Sequence, residues 1–541
     1  MQWTQHLIIL PILLPLLSGA ALLFLAERQR VAKSMISLAS CVALVFVSLL
    51  LVGVTASQGQ FSGVYLLGNW ASPFGIVLVL DRLSSLMVAL AAVLSVPVLI
   101  FSLARWHSAG SHFHSLYQFL LTGLNGAFLT GDLFNLFVFF EVMLAASYGL
   151  LLHGSGALRV KAGLHYIAVN LAAALLFLIG VSLIYGTAGT LNMADLAARI
   201  PTIEADRRML MEAGAAVLGV AFLVKAGMWP LCFWLPSAYS VATAPVAAIF
   251  SLMSKVGIYI ILRLTMLLFS DGPSAGFGSN LLLYGGMATL TFGFIGVLAS
   301  QALARIGAYS VLVSSGTLLA VIGLNDPAAT SGALLYLVSS TLTLGAFFLL
   351  VELVERCQVA GAGVLAVTME AYGDADEDEP EELDGVTMPA TLAMLGICFA
   401  ACTILLAGLP PLSGFVAKLG MLSALIGVGS IGLPPTGEAL AVAALIILAG
   451  LSTLIALTRA GIRTFWSSLE ITIPRVLVVE VVPIMLLLAM LATLTVNAGP
   501  ALAFMEAAVN SVSRPVTYLE NVTGETPQPL WRELNKTVEE E

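Results

Sequence analysis

Long, nearly uncharged apolar runs recur along most of this chain. One of them, residues 133–152 (LFNLFVFFEVMLAASYGLLL), is twenty residues long and contains a single charged residue, Glu141. A transmembrane α-helix needs about 20 predominantly apolar residues to cross the hydrocarbon core of a bilayer. With 59% hydrophobic and only 10% charged residues over 541 positions, the composition excludes an ordinary soluble protein. Because the runs are continuous rather than alternating, they predict an all-α, polytopic membrane protein and not a β-barrel.

The runs predict about fourteen transmembrane helices. They lie near residues 5–25, 34–56, 76–104, 115–131, 133–153, 160–187, 213–238, 241–266, 281–300, 305–324, 329–354, 388–425, 437–458 and 474–497. The seventh and twelfth runs contain prolines near their middle, so these two helices are expected to be broken. Residues 498–541 form a polar C-terminal tail without a long apolar run.

The loop charges predict the orientation of the bundle. Basic residues are concentrated in the odd-numbered connections: Arg28, Arg30, Lys33, Arg105, Arg159, Lys161, Arg305, Arg459, Arg463 and Arg475. Even-numbered loops such as 56–75, 270–280 and 325–331 have no lysine or arginine. The positive-inside rule therefore places the odd connections in the cytoplasm and both termini outside it. The loop 187–212 has three arginines on the outer side, so it departs from this pattern.

Four ionisable residues lie well inside apolar runs: Glu141, Lys225, Lys255 and Lys418. On insertion scales such a residue costs about 2.5–3.5 kcal/mol at the centre of a membrane helix, and intramembrane charges usually have a function. A carboxylate near a buried lysine favours its protonated form, and withdrawal of the carboxylate favours release of the proton. The four residues are thus candidates for proton translocation. One alternative is a neutral Glu141 that only holds helices together. The other is that the cationic side chains snorkel to the headgroups, which suits Arg263 near a span end much better than Lys225 or Lys255.

Prolines mark the two interrupted helices. Pro230 follows Lys225 by five residues, and Pro410 and Pro411 precede Lys418 by a similar distance. Proline removes a helical hydrogen-bond donor and frees backbone carbonyls, and broken helices mark ion pathways in transporters. A single break is equally consistent with an ordinary proline kink. Two breaks about 180 residues apart, each near a lysine, indicate an internal repeat.

The remaining features exclude several classes of function. There is no Walker loop, dinucleotide fingerprint, zinc motif or haem motif, so we expect no cofactor, no bound metal and no enzymatic reaction in this chain. Nothing in the chain indicates a nucleic-acid partner. The insert 357–386 contains nine carboxylates between Glu370 and Asp384, which predicts a solvated acidic cytoplasmic loop. All six histidines lie at or before residue 165, so a proton route through the second half must use lysine, hydroxyl groups and water.

Three segments resemble one known family. GDLFNLFVFFEVMLAASYGLLLHG from Gly131, LVKAGMWPLCFWLPSAYSVATAPVAAIFSLMSKVGIYIILR from Leu223 and GLPPLSGFVAK from Gly408 are similar to signatures of the antiporter-like subunits. This family is shared by Mrp-type Na+/H+ antiporters, respiratory complex I and membrane hydrogenases. The resemblance covers roughly residues 75–460 and is greatest to the D subunits of the Mrp type. Complex I subunits usually have a histidine where this chain has Tyr239.

The resemblance implies an organisation of the chain. Residues 1–114 would contain helices 1–3, residues 115–266 a first five-helix repeat, residues 281–458 a second, inverted repeat with the acidic loop, and residues 474–497 helix 14. It implies two half-channels, with Glu141, Lys225 and Lys255 in one and Lys418 in the other. Tyr239 would be a supporting polar group at the position of the complex I histidine. In the second half, where histidine is lacking, the hydroxyl groups of Tyr309, Tyr336, Ser339 and Ser340 are candidates from the sequence itself, and each is individually also consistent with a helix-packing role. The family often has a histidine near the position of Ser339, which is absent here.

These observations predict a proton-translocating subunit of a multisubunit Na+(cation)/H+ antiporter in the inner membrane of a bacterium. Its partners would be other membrane subunits, protons, Na+ and the lipid bilayer. One alternative is a pumping subunit of NADH:quinone oxidoreductase or of a membrane hydrogenase. A second is a structural scaffold whose buried charges only hold such a complex together.

Overall fold

The computed structural model describes residues 6–57, 63–372, 390–427, 435–465, 476–513 and 516–524, with only the backbone described at 357–372 and 516–517. The helices of the first half are α1 (Leu10–Phe24), α2 (Arg30–Ser57), α3 (Arg82–Leu103), α4 (Phe113–Leu129), α5 (Leu133–Leu151), α6 (Ala157–Ala188), α7 (Met193–Arg199), α8 (Ala205–Ala226), α9 (Trp234–Val241) and α10 (Ala244–Leu268). Those of the second half are α11 (Ser279–Ala299), α12 (Leu303–Gly323), α13 (Pro327–Tyr372), α14 (Ala390–Ala407), α15 (Ser413–Leu425), α16 (Gly437–Phe465), α17 (Val478–Val496), α18 (Ala498–Ser513) and α19 (Val516–Gly524). Strands β1 (Gly63–Leu66) and β2 (Val77–Leu80) form an antiparallel pair, and short 3-10 helices lie at Leu67–Asn69, Trp106–Ser108 and Ile200–Thr202.

The chain is a helical membrane protein, as the apolar runs predict. In the described part, twelve helices are long and apolar enough to cross a membrane. The predicted spans 5–25 and 115–131 correspond to the shorter helices α1, of 15 residues, and α4, of 17 residues. The number fourteen therefore stays a prediction. Helices seven and twelve are broken, into α8 with α9 and α14 with α15.

One predicted span begins with a strand instead of a helix. Residues 77–80 (VLVL) pair with β1 in the register Gly63 with Leu80 and Leu66 with Val77. All four residues of β2 are buried, and a short run of this kind that is apolar on both faces does not distinguish a strand from a helix. The helix α3 starts only after Asp81, whose side chain caps it by accepting from the backbone N–H of Ser84 at 2.7 Å.

Three helices form the centre of the bundle. Every residue of the most apolar stretch of α10 is buried, and almost every residue is buried in the corresponding stretches of α12 and α13. In outer helices such as α6 and α11, 39% of the corresponding stretch is buried. Charged or hydroxyl groups on the central helices are therefore removed from lipid and are available to one another.

Small residues let α11 and α12 pack closely. A Cβ at Gly286 would lie 2.3 Å from the backbone nitrogen of Ala320, and one at Gly316 would lie 2.4 Å from the backbone nitrogen of Leu290. Real side chains do not approach a backbone this closely, so glycine is required at these contacts. Contacts of this type replace the hydrophobic effect as the source of helix association in a membrane.

Helix α13 is longer than predicted, and the start of the C-terminal tail is helical. α13 continues through Tyr372, so the first part of the acidic insert is helical, while residues 373–389 lie outside the described residues. In the tail, α18 packs against α13 and α3. It buries Met505, Ala508, Val509 and Val512. This helical spacing gives the start of the tail an apolar face.

Candidate proton and cation site

The two broken helices end in the same way. α8 and α14 each stop one residue before a glycine in the left-handed region, with φ of 77° at Gly227 and 76° at Gly408. Glycine adopts this conformation without a steric penalty and commonly ends helices. Pro230 lies in the first break, and Pro410 and Pro411 lie in the second. Both breaks therefore expose helix-end carbonyl groups inside the bundle.

Glu141 lies near the middle of α5 with its side chain half-buried. Its Oε1 atom is shielded from solvent and has no hydrogen-bond partner among the described residues. The carboxylate forms no ion pair with Lys225 in this part of the chain, although the two charges are close enough to interact electrostatically. A buried polar atom left without a partner costs about 1–3 kcal/mol. This geometry is unfavourable for a residue that only locks helices together.

Lys225 lies in the last turn of α8 and is 1% exposed. Its Nζ donates to the Tyr166 hydroxyl and to the Asn170 Oδ1, each at 3.4 Å, and both partners are on α6. The ammonium also lies 5.7 Å from the ring centroid of Phe140 and 5.6 Å from that of Tyr166. The Tyr166 hydroxyl is in turn 2.8 Å from Ser147 Oγ on α5. Neutral oxygens and aromatic rings therefore surround this charge.

Lys255 lies on the central helix α10 and is fully buried. Its Nζ donates to Ser314 Oγ on α12 at 2.8 Å, and Ser314 Oγ is 2.9 Å from Ser340 Oγ on α13. Tyr336, one turn earlier on α13, has its hydroxyl close to Ser314. The lysine is thus connected to a short chain of hydroxyl groups across three helices.

Lys418 lies on α15, just after the second break. Its Nζ donates to the backbone oxygens of Leu406 at 3.2 Å and Ala407 at 2.8 Å. At the start of α15, Ser413 Oγ is 2.9 Å from Ser339 Oγ on α13. Ser339 and Ser340 are neighbours in sequence. α13 therefore contacts both the hydroxyl groups linked to Lys255 and the helix that carries Lys418.

The two remaining sequence candidates lie in different surroundings. The Tyr239 hydroxyl donates to the backbone oxygen of Phe250 on α10 at 2.8 Å. Tyr309 packs its ring against Phe292, with 5.9 Å between centroids, and against Gly296. The Tyr309 hydroxyl has no hydrogen bond to any described residue. The structure thus connects Tyr336 and Ser340 to Lys255 through Ser314 and places Ser339 against Ser413. Tyr309 makes none of these contacts.

Tyr166, Asn170, Ser147 and Ser413 were not selected from the sequence. Asn170 and Tyr166 are four residues apart, which places them on one face of α6. Asn170 is the only amide-bearing residue of this helix. A polar pair at this spacing in an apolar span is the sequence signal for Tyr166 and Asn170.

Arg263 does not snorkel to the membrane surface, and that expectation was wrong. Its guanidinium forms a buried ion pair with Asp81, with Nη2 at 2.8 Å from both carboxylate oxygens. The ring centroids of Tyr259 and Tyr518 lie 5.2 and 5.9 Å from the guanidinium carbon. Asp81 belongs to the connection between β2 and α3, an element that was not predicted. The partner of Arg263 could therefore not be anticipated.

Comparison with known proteins identifies the family. The family model described as "NADH:quinone oxidoreductase/Mrp antiporter, TM" matches residues 130–442. A probable K(+)/H(+) antiporter D subunit of Rhizobium meliloti (strain 1021) is 60% identical over 533 residues, covering 96% of this chain and 98% of the relative. A Na(+)/H(+) antiporter D subunit of Alkalihalophilus pseudofirmus is 35% identical over 530 residues, covering 96% and 100%.

Solved structures show the same architecture. A chain in the Mrp complex from Dietzia sp. DQ12-45-1b superposes with a TM-score of 0.81 and 26% identity, covering 97% of this chain and 100% of that chain. A chain of respiratory complex I from Thermus thermophilus gives a TM-score of 0.72 at 22% identity, covering 96% and 100%, and shows the shared fold. The chain belongs to the family of membrane subunits shared by NADH:quinone oxidoreductases and Mrp antiporters, in the group of the antiporter D subunits.

Proposed function

We propose that this chain translocates protons as one subunit of a multisubunit cation/proton antiporter. Glu141, Lys225 and Lys255 line one half-channel, and Lys418 lies in the other. The observation that carries the proposal is that all three lysines are buried inside the bundle with neutral oxygen partners and no ion pair among the described residues. A buried charge without a counter-charge is expensive to keep, which supports a role in which the charge is transient. The chain acts as a transporter subunit and needs no cofactor or enzymatic reaction of its own.

Hydroxyl groups take the place of the missing histidine in this proposal. A hydroxyl both donates and accepts a hydrogen bond, so Ser314 and Ser340 can pass a proton from Lys255 toward α13. The contact between Ser339 and Ser413 continues toward the segment that carries Lys418. Ser340 and Ser339 point to different sides of α13. Water would therefore carry the proton from the Ser314–Ser340 pair to the Ser339–Ser413 pair.

The exchanged cation is K+ or Na+, and other membrane subunits complete the antiporter. The two relatives described above are named for K+/H+ and Na+/H+ exchange, respectively. Because the first is much more similar to this chain, K+ is the cation to test first.

Proton flux in everted vesicles that contain the whole complex tests the proposal. With Glu141→Gln or Lys225→Met, we expect loss of the pH change that K+ or Na+ produces, with normal assembly on a native gel. Lys161→Met is the matched control, because Lys161 is an exposed lysine at the start of α6. Normal flux in the two buried variants would overturn the proposal. Loss of flux with normal assembly would exclude a purely structural role for these charges.

We also propose that the complex lies in the bacterial cell membrane with both termini of this chain outside the cytoplasm. The distribution of basic residues over alternate connections supports this orientation. Reporter fusions at each terminus, with an enzyme that is active only outside the cytoplasm, test it. Active fusions at both ends are expected, and an inactive fusion at either end would contradict the orientation.

A further inference from the structure

The break between α14 and α15 presents backbone oxygens to a buried cation. Leu406 and Ala407 are in the last turn of α14, where carbonyl groups have no partner within the helix. Lys418 donates to both of them, at 3.2 and 2.8 Å, and is only 7% exposed. Its ammonium therefore lies at the negative end of the α14 dipole, where a cation is stabilised.

No carboxylate in the described part of the chain helps to hold this ammonium. α15 packs against α13, α14, α16 and α17. The titratable or charged side chains described on these helices are Tyr336, Glu352, Glu355, Arg356, Cys398, Cys402, Glu438, Arg459, Arg463 and Glu480. Within the described residues, none of them forms a hydrogen bond or an ion pair with Lys418. The two carbonyl oxygens are the groups that hold the charge.

In the first break, a tryptophan indole and not a lysine ammonium donates to a carbonyl at the helix end. The two breaks share a helix-ending hydrogen bond, from Met228 to Leu223 and from Leu409 to Ile404, both at 3.0 Å. In the first break, however, the Trp234 indole nitrogen donates to a last-turn carbonyl at 3.2 Å. An indole is neutral and does not release its proton, whereas an ammonium is a cation that can. Of the two breaks, the second therefore combines helix-end carbonyls with a removable positive charge.

A glycine of α16 faces the Lys418 ammonium and the Ala407 oxygen. Gly450 on α16 faces the second break, and a Cβ at this position would lie 2.7 Å from the Ala407 oxygen and 3.4 Å from Lys418 Nζ. Glycine thus lets α16 approach the Ala407 oxygen closely. A methyl group here would cover this oxygen.

We propose that the carbonyl oxygens of Leu406 and Ala407 form a binding site for an alkali cation, which Lys418 occupies while it is protonated. Backbone carbonyls are the ligands of K+ in selectivity filters, and carbonyls at the C-terminal ends of broken helices coordinate Na+ in transporters. When the ammonium of Lys418 releases one proton to water of its half-channel, one K+ or Na+ takes its place on the two oxygens, with water as the remaining ligands. One positive charge leaves and one arrives, so the site exchanges a proton for a cation. This inference rests on the proposed antiporter function for its physiological role, but binding is measurable without transport.

Equilibrium binding to the purified, assembled complex tests the site, with radioactive Rb+ as a probe for K+ and radioactive Na+ beside it. Lys418→Arg keeps a permanent positive charge on the carbonyls, and Lys418→Met removes it. We expect the Lys418→Met complex to bind one cation more than the Lys418→Arg complex at every pH. In the unchanged complex the apparent Kd should fall about tenfold for each unit by which the pH rises, as long as Lys418 is mostly protonated.

Glycine variants on α16 distinguish cation binding at this site from cation binding elsewhere in the complex. Gly450→Ala, in the Lys418→Met background, should remove the additional bound cation. Gly437→Ala is the matched control, since a Cβ there meets nothing within 4 Å, and it should keep the cation. If Lys418→Met fails to assemble, Gly450→Ala alone at high pH gives the same comparison.

Equal cation numbers in Lys418→Met and Lys418→Arg, or unchanged binding in Gly450→Ala, would overturn the inference. Glu141→Gln distinguishes this failure from failure of the proposed function. That variant should lose proton flux and keep the pH-dependent binding of the cation to the Leu406 and Ala407 oxygens. Retained flux in Glu141→Gln would refute the proposed function and leave the binding result intact.

Discussion

The hydroxyl contact of Lys255 gives the sharpest test of the proton route. Lys255 is fully buried on α10, and its ammonium donates to Ser314 Oγ at 2.8 Å. Ser314→Ala removes this oxygen and also the link to Ser340. The ammonium has no other hydrogen bond to a described residue, so the variant leaves a buried charge without a partner.

The size of the effect follows from the bond that is lost. A hydrogen bond to a charged group contributes about 1.5–3 kcal/mol, and ~1.4 kcal/mol corresponds to a factor of ten in an equilibrium. If proton transfer passes through protonated Lys255 in contact with Ser314, we expect cation-driven proton flux to fall about 10- to 100-fold. The assay is dye-monitored flux in everted vesicles, at equal amounts of assembled complex.

Two variants of α12 serve as controls. Ser314→Thr retains a hydroxyl at this position and should restore most of the flux. Ser310→Ala changes a buried serine one turn earlier whose hydroxyl donates only to its own helix, to the Ile306 oxygen at 2.8 Å. It should leave flux unchanged. Normal flux in Ser314→Ala, or an equal loss in Ser310→Ala, would refute the assignment of Ser314 to the route.

Three further predictions follow from other contacts. Tyr166→Phe removes the hydroxyl between Ser147 and Lys225 and should lower proton flux about tenfold without changing assembly; unchanged flux would exclude it from the route. Arg263→Met leaves the carboxylate of Asp81 buried and unpaired, so the purified complex should lose about 3–5 kcal/mol of stability in thermal unfolding, whereas an unchanged unfolding temperature would contradict a structural ion pair. Gly316→Ala places a methyl group against the backbone of α11 and should destabilise the bundle by about 1–3 kcal/mol. Gly219→Ala, which meets nothing within 4 Å, is its control in the same assay.

Charges and prolines made much of the candidate site visible in the sequence. A single lysine in an apolar span, such as Lys225 or Lys255, stands out because the membrane penalises it. The breaks were visible because each of the two runs has proline close to its lysine. Proline alone is a weaker signal, since Pro97 lies inside the continuous helix α3. The helices themselves followed from length and hydropathy, which depend on the bilayer more than on the details of packing.

Contacts across the bundle were not visible in the same way. Tyr166 and Asn170 solvate Lys225 from a helix that is distant in the sequence, and no local pattern encodes that pairing. The strand at 77–80 was hidden because its residues are apolar on both faces. The same error concealed the position of Asp81, and with it the buried partner of Arg263.

Arg263 and the three lysines of the candidate site are buried with different partners, and the difference bears on function. Arg263 is held by both oxygens of one carboxylate, and an arginine does not release its proton, so this charge is fixed and its neutralisation is permanent. The three lysines are held instead by hydroxyl, amide and backbone oxygens. Loss of a proton from such a lysine leaves no unpaired carboxylate behind, and it needs only a small rearrangement of neutral dipoles. Lysines solvated in this manner suit a path along which positive charge must arrive and leave, whereas the arginine pair suits a permanent structural contact.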